Sequence, residues 1–106
     1  MGLPDDMDFE RMAESASQAS ALMKTLGHSG RLMVLCQLAT GEKSVGELSE
    51  LLDIPQSPLS QHLSRMRSEG LVSTRRNAQN IYYSLKSDEA GKIIECLYGL
   101  YCETDE

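Results

Sequence analysis

The chain reads as a mainly α-helical domain that carries one small β-hairpin, and three observations point there. Residues 45–52 and 57–69 are two short segments with apolar residues at helical spacing, separated by Asp53-Ile54-Pro55-Gln56. Residues 72–76 and 81–85 then alternate apolar and polar side chains around the polar turn Asn77-Ala78-Gln79-Asn80. Longer amphipathic segments stand on both sides. The order is therefore four helices, a two-stranded hairpin and a fifth helix, which is a winged helix-turn-helix.

Each element has its own local cause. Phe9, Met12, Ala13, Ala16, Ala19, Met23 and Leu26 recur every three or four residues, which predicts a first helix over residues 8–26, ended by Gly27. A second helix over about 30–40 carries Leu32, Leu35, Cys36, Leu38 and Ala39 and closes at Gly41. The third opens at Ser44 and places Val45, Leu48, Leu51 and Leu52 on one stripe; Pro55 ends it by disfavouring the helical conformation at Ile54. For the fourth, Ser57 is expected as the cap and Pro58 as the first helical residue. Gly70 stops it, since glycine takes the left-handed conformation at little steric cost.

In the hairpin, Ile81, Tyr83 and Leu85 share one face and Tyr82 and Ser84 the other, and the asparagines of the turn are the residues that tolerate positive φ. The last helix starts from Ser87 as cap, with Asp88 and Glu89 in its first turn, where the helix dipole favours negative charge. It continues through Ile93, Ile94, Leu97, Tyr98, Leu100 and Tyr101.

A chain of 106 residues, 41% apolar, holds one core. The expected division is a flexible acidic start over residues 1–7, a single winged domain over 8–103 and a tail over 104–106. No apolar run approaches the roughly 18 residues needed to span a bilayer, and the acidic start lacks the basic and apolar regions of a secretory signal. A cytoplasmic protein with no membrane partner is expected.

The net charge of −6 looks wrong for a partner made of phosphate, yet its distribution is uneven. Residues 54–86 carry Arg65, Arg67, Arg75, Arg76 and Lys86 against Glu69 alone, a net +4, while the two ends are acidic. The net positive balance falls on the proposed reading unit, which points to double-stranded DNA. With Leu59, Leu63 and Met66 facing inward, the expected DNA face of the fourth helix is Ser57, Pro58, Ser60, Gln61, Ser64 and Arg65. The serines and Gln61 would read base edges, and Arg75 and Arg76 beside the hairpin tip would hold the backbone or minor groove. No glycine-rich phosphate loop, catalytic triad spacing or paired His and carboxylate pattern is present, so neither an enzyme nor a cofactor is expected.

The last helix is apolar over more than one stripe, more than its own domain is expected to bury. It and the Ala-rich first helix are the expected subunit interface of a homodimer. Such a dimer would set two reading helices about one DNA turn (~34 Å) apart and require an inverted-repeat operator.

Cys36, Cys96 and Cys102 form no CxxC pattern, and with only His28 and His62 besides them no metal site is expected. His62 reads as a packing or DNA-proximal residue. Each cysteine has a plain reading as a small buried hydrophobe, the preferred one for Cys96. For Cys36 and Cys102 the residues alone leave a structural and a functional reading open.

The run Val45-Gly46-Glu47-Leu48, then Gln56-Ser57-Pro58-Leu59-Ser60-Gln61-His62-Leu63, then Gly70-Leu71-Val72 and Ile81-Tyr82-Tyr83-Ser84-Leu85 closely resembles the ArsR/SmtB family of bacterial repressors. The resemblance covers roughly residues 20 to 102. It implies a homodimeric winged domain that represses transcription until an inducer binds. Metal sensors of the family carry a cysteine pair where this chain has Glu47-Leu48-Ser49-Glu50-Leu51, which argues against arsenite, cadmium or lead.

What remains is similar to a subgroup of sulfide-responsive repressors, with one cysteine on the second helix and another near the end of the last. Cys36 and Cys102 match those positions, which implies a redox-sensing pair whose inducer is a persulfide or polysulfide. Bridging of Cys36 and Cys102 by inserted sulfur would then release the operator. The reduced thiols are expected to stand too far apart for an easy simple disulfide. Haemolysin regulators share much of the pattern, so a virulence-gene regulator, a regulator responding to other oxidants and a constitutive DNA-binding protein are the alternatives.

Overall fold

Capping chemistry sets most of the helix boundaries in the chain, which a computed structural model describes over residues 8–103. The expectations for residues 1–7 and 104–106 lie outside the described residues. Helix α1 (Phe9–Leu26) starts where the Asp8 carboxylate accepts from the Arg11 N–H at 3.1 Å. Helix α2 (Ser29–Ala39) is capped by His28, whose Nδ1 accepts from the Gly30 N–H at 3.1 Å. Strand β1 (Lys43–Ser44) leads into α3 (Val45–Leu52) through a full capping box: Ser44 Oγ accepts from the Glu47 N–H, and Glu47 accepts from the Ser44 N–H. Asp53, at φ 55°, turns the chain out of α3.

Helix α4 (Gln56–Ser68) departs from expectation at its start. Pro55, at φ −56° and ψ 150°, is the flanking residue, Gln56 is the first helical one, and neither Ser57 nor any other side chain caps the helix. Pro58 is thus third rather than first. The shift is cheap, because the first four N–H groups of a helix lack internal partners wherever a proline stands among them. At the other end the Gly70 N–H donates to Arg67 O and the Leu71 N–H to Met66 O. These are the two bonds of a Schellman motif, and Gly70 takes the positive φ of 77° that the motif needs.

Strands β2 (Val72–Asn77) and β3 (Asn80–Leu85) form the hairpin, paired antiparallel from Val72–Leu85 to Asn77–Asn80. The asparagines are the last ladder pair, and the residue with positive φ is Ala78, at 58°, not an asparagine. The sheet also has a third strand that the alternation did not reveal, since β1 pairs with β3 through Lys43–Tyr83 and Ser44–Tyr82 to give the order β1-β3-β2. Helix α5 (Asp88–Tyr101) is capped by Ser87, with Asp88 and Glu89 in its first turn as expected.

The core gathers Val34, Leu35 and Leu38 of α2, Leu48 of α3, Leu59, Leu63 and Met66 of α4, Leu71 and Val72, and Ala90 and Ile94 of α5. Leu51 leaves its expected stripe and is exposed, because it lies on the far side of Leu48 from Val45 and Leu52 around the α3 axis. Helix α1 contributes chiefly Leu22, Thr25 and Leu26. Its Phe9, Met12 and Met23 are uncovered, as are Tyr98, Leu100 and Tyr101 of α5. A groove of about 750 Å³ lies between the two helices, lined among others by Ala19, Leu22, Leu71 and Ile93.

Candidate nucleic-acid interface and thiol pair

Three side chains decide which way α4 faces. Leu59, Leu63 and Met66 are wholly buried, so Ser57, Pro58, Ser60, Gln61, Ser64 and Arg65 are turned outward and all are exposed. Truncating a buried Leu or Met to Ala costs about 2–5 kcal/mol, whereas the exposed Arg65–Glu69 pair is of a kind worth ~0.3–0.5 kcal/mol. The apolar stripe sets the orientation of the helix, and the outer face is left to present polar groups.

Two further contacts hold α4 against the α1–α2 corner, and neither was legible in the sequence. Buried Thr25 Oγ1 donates to Glu69 Oε1 at 2.7 Å, while the other oxygen of Glu69 accepts from Arg65 Nε at 3.2 Å. Arg31 Nε donates to Thr25 O at 3.0 Å and closes the corner. Nearer the middle of α4, the His62 ring packs on His28 with centroids 4.8 Å apart and planes tilted by 56°. Burial pushes the His62 pKa down, and the nearby His28, Arg31 and Arg65 push it further. His62 packs on the inner flank of α4, the first of the two readings its sequence left open. His28, read only as a loop residue, is the cap of α2 and its neighbour.

The two wing arginines differ. Arg75 is held by Glu42 through Nε–Oε2 at 3.0 Å and a second guanidinium nitrogen to Oε1 at 2.7 Å, and its guanidinium carbon lies 5.0 Å from the centre of the Tyr82 ring. The hydrogen bond and charge of Arg75 hold the Glu42 carboxyl below the usual range. Arg76 is exposed and, among the described residues, makes no ion pair. Glu42 carried no sequence signal, because its partner is 33 positions away across the sheet.

All three thiols are free. Cys36 is half-buried on α2, and Cys102 is exposed at the C-terminal cap of α5, where its N–H donates to Tyr98 O at 2.8 Å. Burial pushes the Cys36 thiol pKa up, and thiolate charge on Cys102 raises it further, so the two groups stand within electrostatic reach despite their separation in sequence. Cys96 is exposed, which corrects its reading as a buried hydrophobe. It follows Ile94 by two residues, about 200° around the helix, and therefore points away from the core that Ile94 enters. Among the described residues no cluster of three or more His, Cys, Asp or Glu is arranged to hold a metal ion.

Comparison with known proteins gives a consistent answer. The family profile described as bacterial regulatory protein, arsR family, matches residues 28–74. A biofilm growth-associated repressor of Agrobacterium fabrum is 48% identical over 101 residues, covering 95% of this chain and 86% of the relative. The transcriptional activator HlyU of Vibrio cholerae is 43% identical over 100 residues, covering 94% of this chain and 93% of the relative. Among solved structures, the transcriptional repressor BigR from Xylella fastidiosa superposes with a TM-score of 0.86 at 42% identity, over 92% of this chain and all (100%) of that one.

Proposed function

The chain belongs to the arsR family of bacterial regulatory proteins, a family of DNA-binding transcription regulators, and from that premise we propose that it is a homodimeric, dithiol-based repressor that releases operator DNA when persulfide or polysulfide bridges Cys36 and Cys102. What carries the reading is that Cys36 on α2 and Cys102 at the end of α5 are both free thiols and stand within electrostatic reach of one another. Helix α2 packs on α4 through His28 and His62, and α5 presents the uncovered apolar face suited to a second copy. A bridge between them therefore ties the reading helix to the dimer surface. The protein works in the cytoplasm, on double-stranded DNA with an inverted repeat.

Exposed Cys102 is the first group to react, since Cys36 is handicapped as a thiolate by burial. Its thiolate takes the outer sulfur of an organic persulfide, giving a protein persulfide and releasing the organic thiol. Cys36 is converted in the same way. The terminal sulfur on Cys102 then attacks Cys36 Sγ and expels hydrosulfide, leaving a bridge with one inserted sulfur. The bridge favours the dimer geometry with mispositioned readers.

On the duplex, Ser57, Pro58, Ser60, Gln61 and Ser64 face the bases, Arg65 reaches base or phosphate, and the wing meets the backbone. The test is a binding titration of reduced and persulfide-treated protein on the DNA upstream of its own gene, with mass analysis of the Cys36 and Cys102 peptides. Affinity should fall by about 5- to 150-fold, the usual allosteric scale. Cys36→Ala and Cys102→Ala should bind DNA like the reduced protein and ignore the inducer. Release that persists in both variants, or a plain disulfide as the main product, overturns the reading. Because one relative is named a repressor and another an activator at similar identity, DNA release is the readout rather than the sign of regulation.

A further inference from the structure

The outer face of the small sheet carries a strap across all three strands. Ser44 of β1, Tyr82 of β3 and Arg75 of β2 lie in one register row, and side chains two residues apart share a face, so Glu42, Ser44, Tyr82, Ser84, Ser73 and Arg75 are all on the same side. Thr74, Tyr83 and Leu85 take the other side, where Tyr83 and Leu85 pack on the core. From the far strand the Arg75 guanidinium passes over the Tyr82 ring and ends in a fork on Glu42, just ahead of β1. In the neighbouring row of the same face the Ser73 and Ser84 hydroxyls are 3.0 Å apart.

The anchor is itself fixed. Lys43 Nζ donates to Gln37 O and Thr40 Oγ1, both at 2.9 Å, and to Gly41 O at 3.3 Å, stitching the loop before β1 to the end of α2. Ser44, next along, is the cap of α3.

We propose that Arg75 is a positioning residue of the wing, strapping β2 across β3 to Glu42 and so setting the hairpin against the helix-turn-helix, while the wing's phosphate contact falls to Arg76. The functional part rests on the DNA-reading proposal above; the structural part does not. It narrows the expectation that both arginines hold DNA. For Arg75 to reach a phosphate it must give up two charge-assisted bonds and a ring contact, and it would leave a carboxylate uncompensated beside a polyanion. Arg76, on the opposite face of the hairpin from Arg75, gives up no ion pair.

The experiment uses the full-length protein and the duplex it recovers from a random-sequence pool, with binding measured against salt. Arg75→Ala, Arg75→Lys and Glu42→Gln should each weaken binding by about fivefold, in line with an ideal surface fork plus a cation–π contact, with the slope of log K against log salt unchanged. Arg75→Lys belongs with the losses because an ammonium keeps the charge but lacks the fork. Arg76→Ala should reduce the slope by about 0.9, the signature of one lost phosphate contact. A reduced slope in Arg75→Ala, wild-type binding by Arg75→Ala or Arg75→Lys, or tighter binding by Glu42→Gln overturns the proposal.

Hydrogen exchange on the free protein supplies a readout that needs no DNA. Amides of the Lys43–Tyr83 pair should exchange faster in the three strap variants than in the wild type, and unchanged exchange overturns the strap even if DNA reading itself fails.

Discussion

Gln61 and Arg76 are both exposed, but a duplex offers them different chemistry. A glutamine amide has a donor and an acceptor to match a base edge, while an arginine at the wing meets phosphates that are alike in every sequence. Gln61→Ala should flatten base preference at its position by about 1–3 kcal/mol, whereas Arg76→Ala should weaken all duplexes by a similar factor. Competition titrations against a panel of single-base variants check both, and equal loss of preference in the two variants would undo the assignment. At this scale the outward face of α4 was legible because three apolar residues at helical spacing settle where the polar ones go. The partners of Arg75 and Thr25 were not legible, since Glu42 and Glu69 come from 33 and 44 positions away. Cys96 misled for a related reason: a small apolar residue in a helix is buried only if its angular position meets the core.

Helices α2 and α4 meet through a pair of imidazoles, and this contact has a pH dependence with a definite sign. Burial depresses the His62 pKa in the fold relative to about 6.5 in an unfolded chain, so between those two values the unfolded state binds more protons. The stability contribution is fully present above about pH 6.5 and is lost as pH falls through the lower folded value. His62→Gln should flatten that part of the stability curve, as judged by urea melts of variant and wild type across pH 5 to 8. A curve of unchanged shape would show that the imidazole does not titrate against the fold. Sequence periodicity found both helices and their lengths to within a residue or two. It missed strand β1, whose two residues are too short for any alternation.

Across the whole molecule the chief imbalance is apolar surface. Leu100 and Tyr101 of α5 are 70% and 81% exposed, and Phe9 of α1 is 74% exposed. In the proposed homodimer a second copy seated on these helices would remove that surface from water and make one reader into two. Leu100→Asp should yield a monomer by sedimentation velocity, with little change in the monomer's own core because the side chain makes no part of it. Affinity for an inverted-repeat duplex should fall by roughly a hundredfold or more, since the second half-site is no longer engaged at high effective concentration. A dimer that survives both Leu100→Asp and a matching Phe9→Asp would place the interface elsewhere.

The sequence by itself determined the helices, the hairpin, the polar face of α4 and the net positive charge of residues 54–86, because periodicity, caps and local charge act over a few neighbouring positions. Only the tertiary structure decided that Cys36 and Cys102 share an electrostatic neighbourhood, that His28 supports His62 and that Arg75 is committed to Glu42. Each of these joins residues from different elements, and pairing across elements follows from how the apolar stripes pack together in space, which no local pattern encodes.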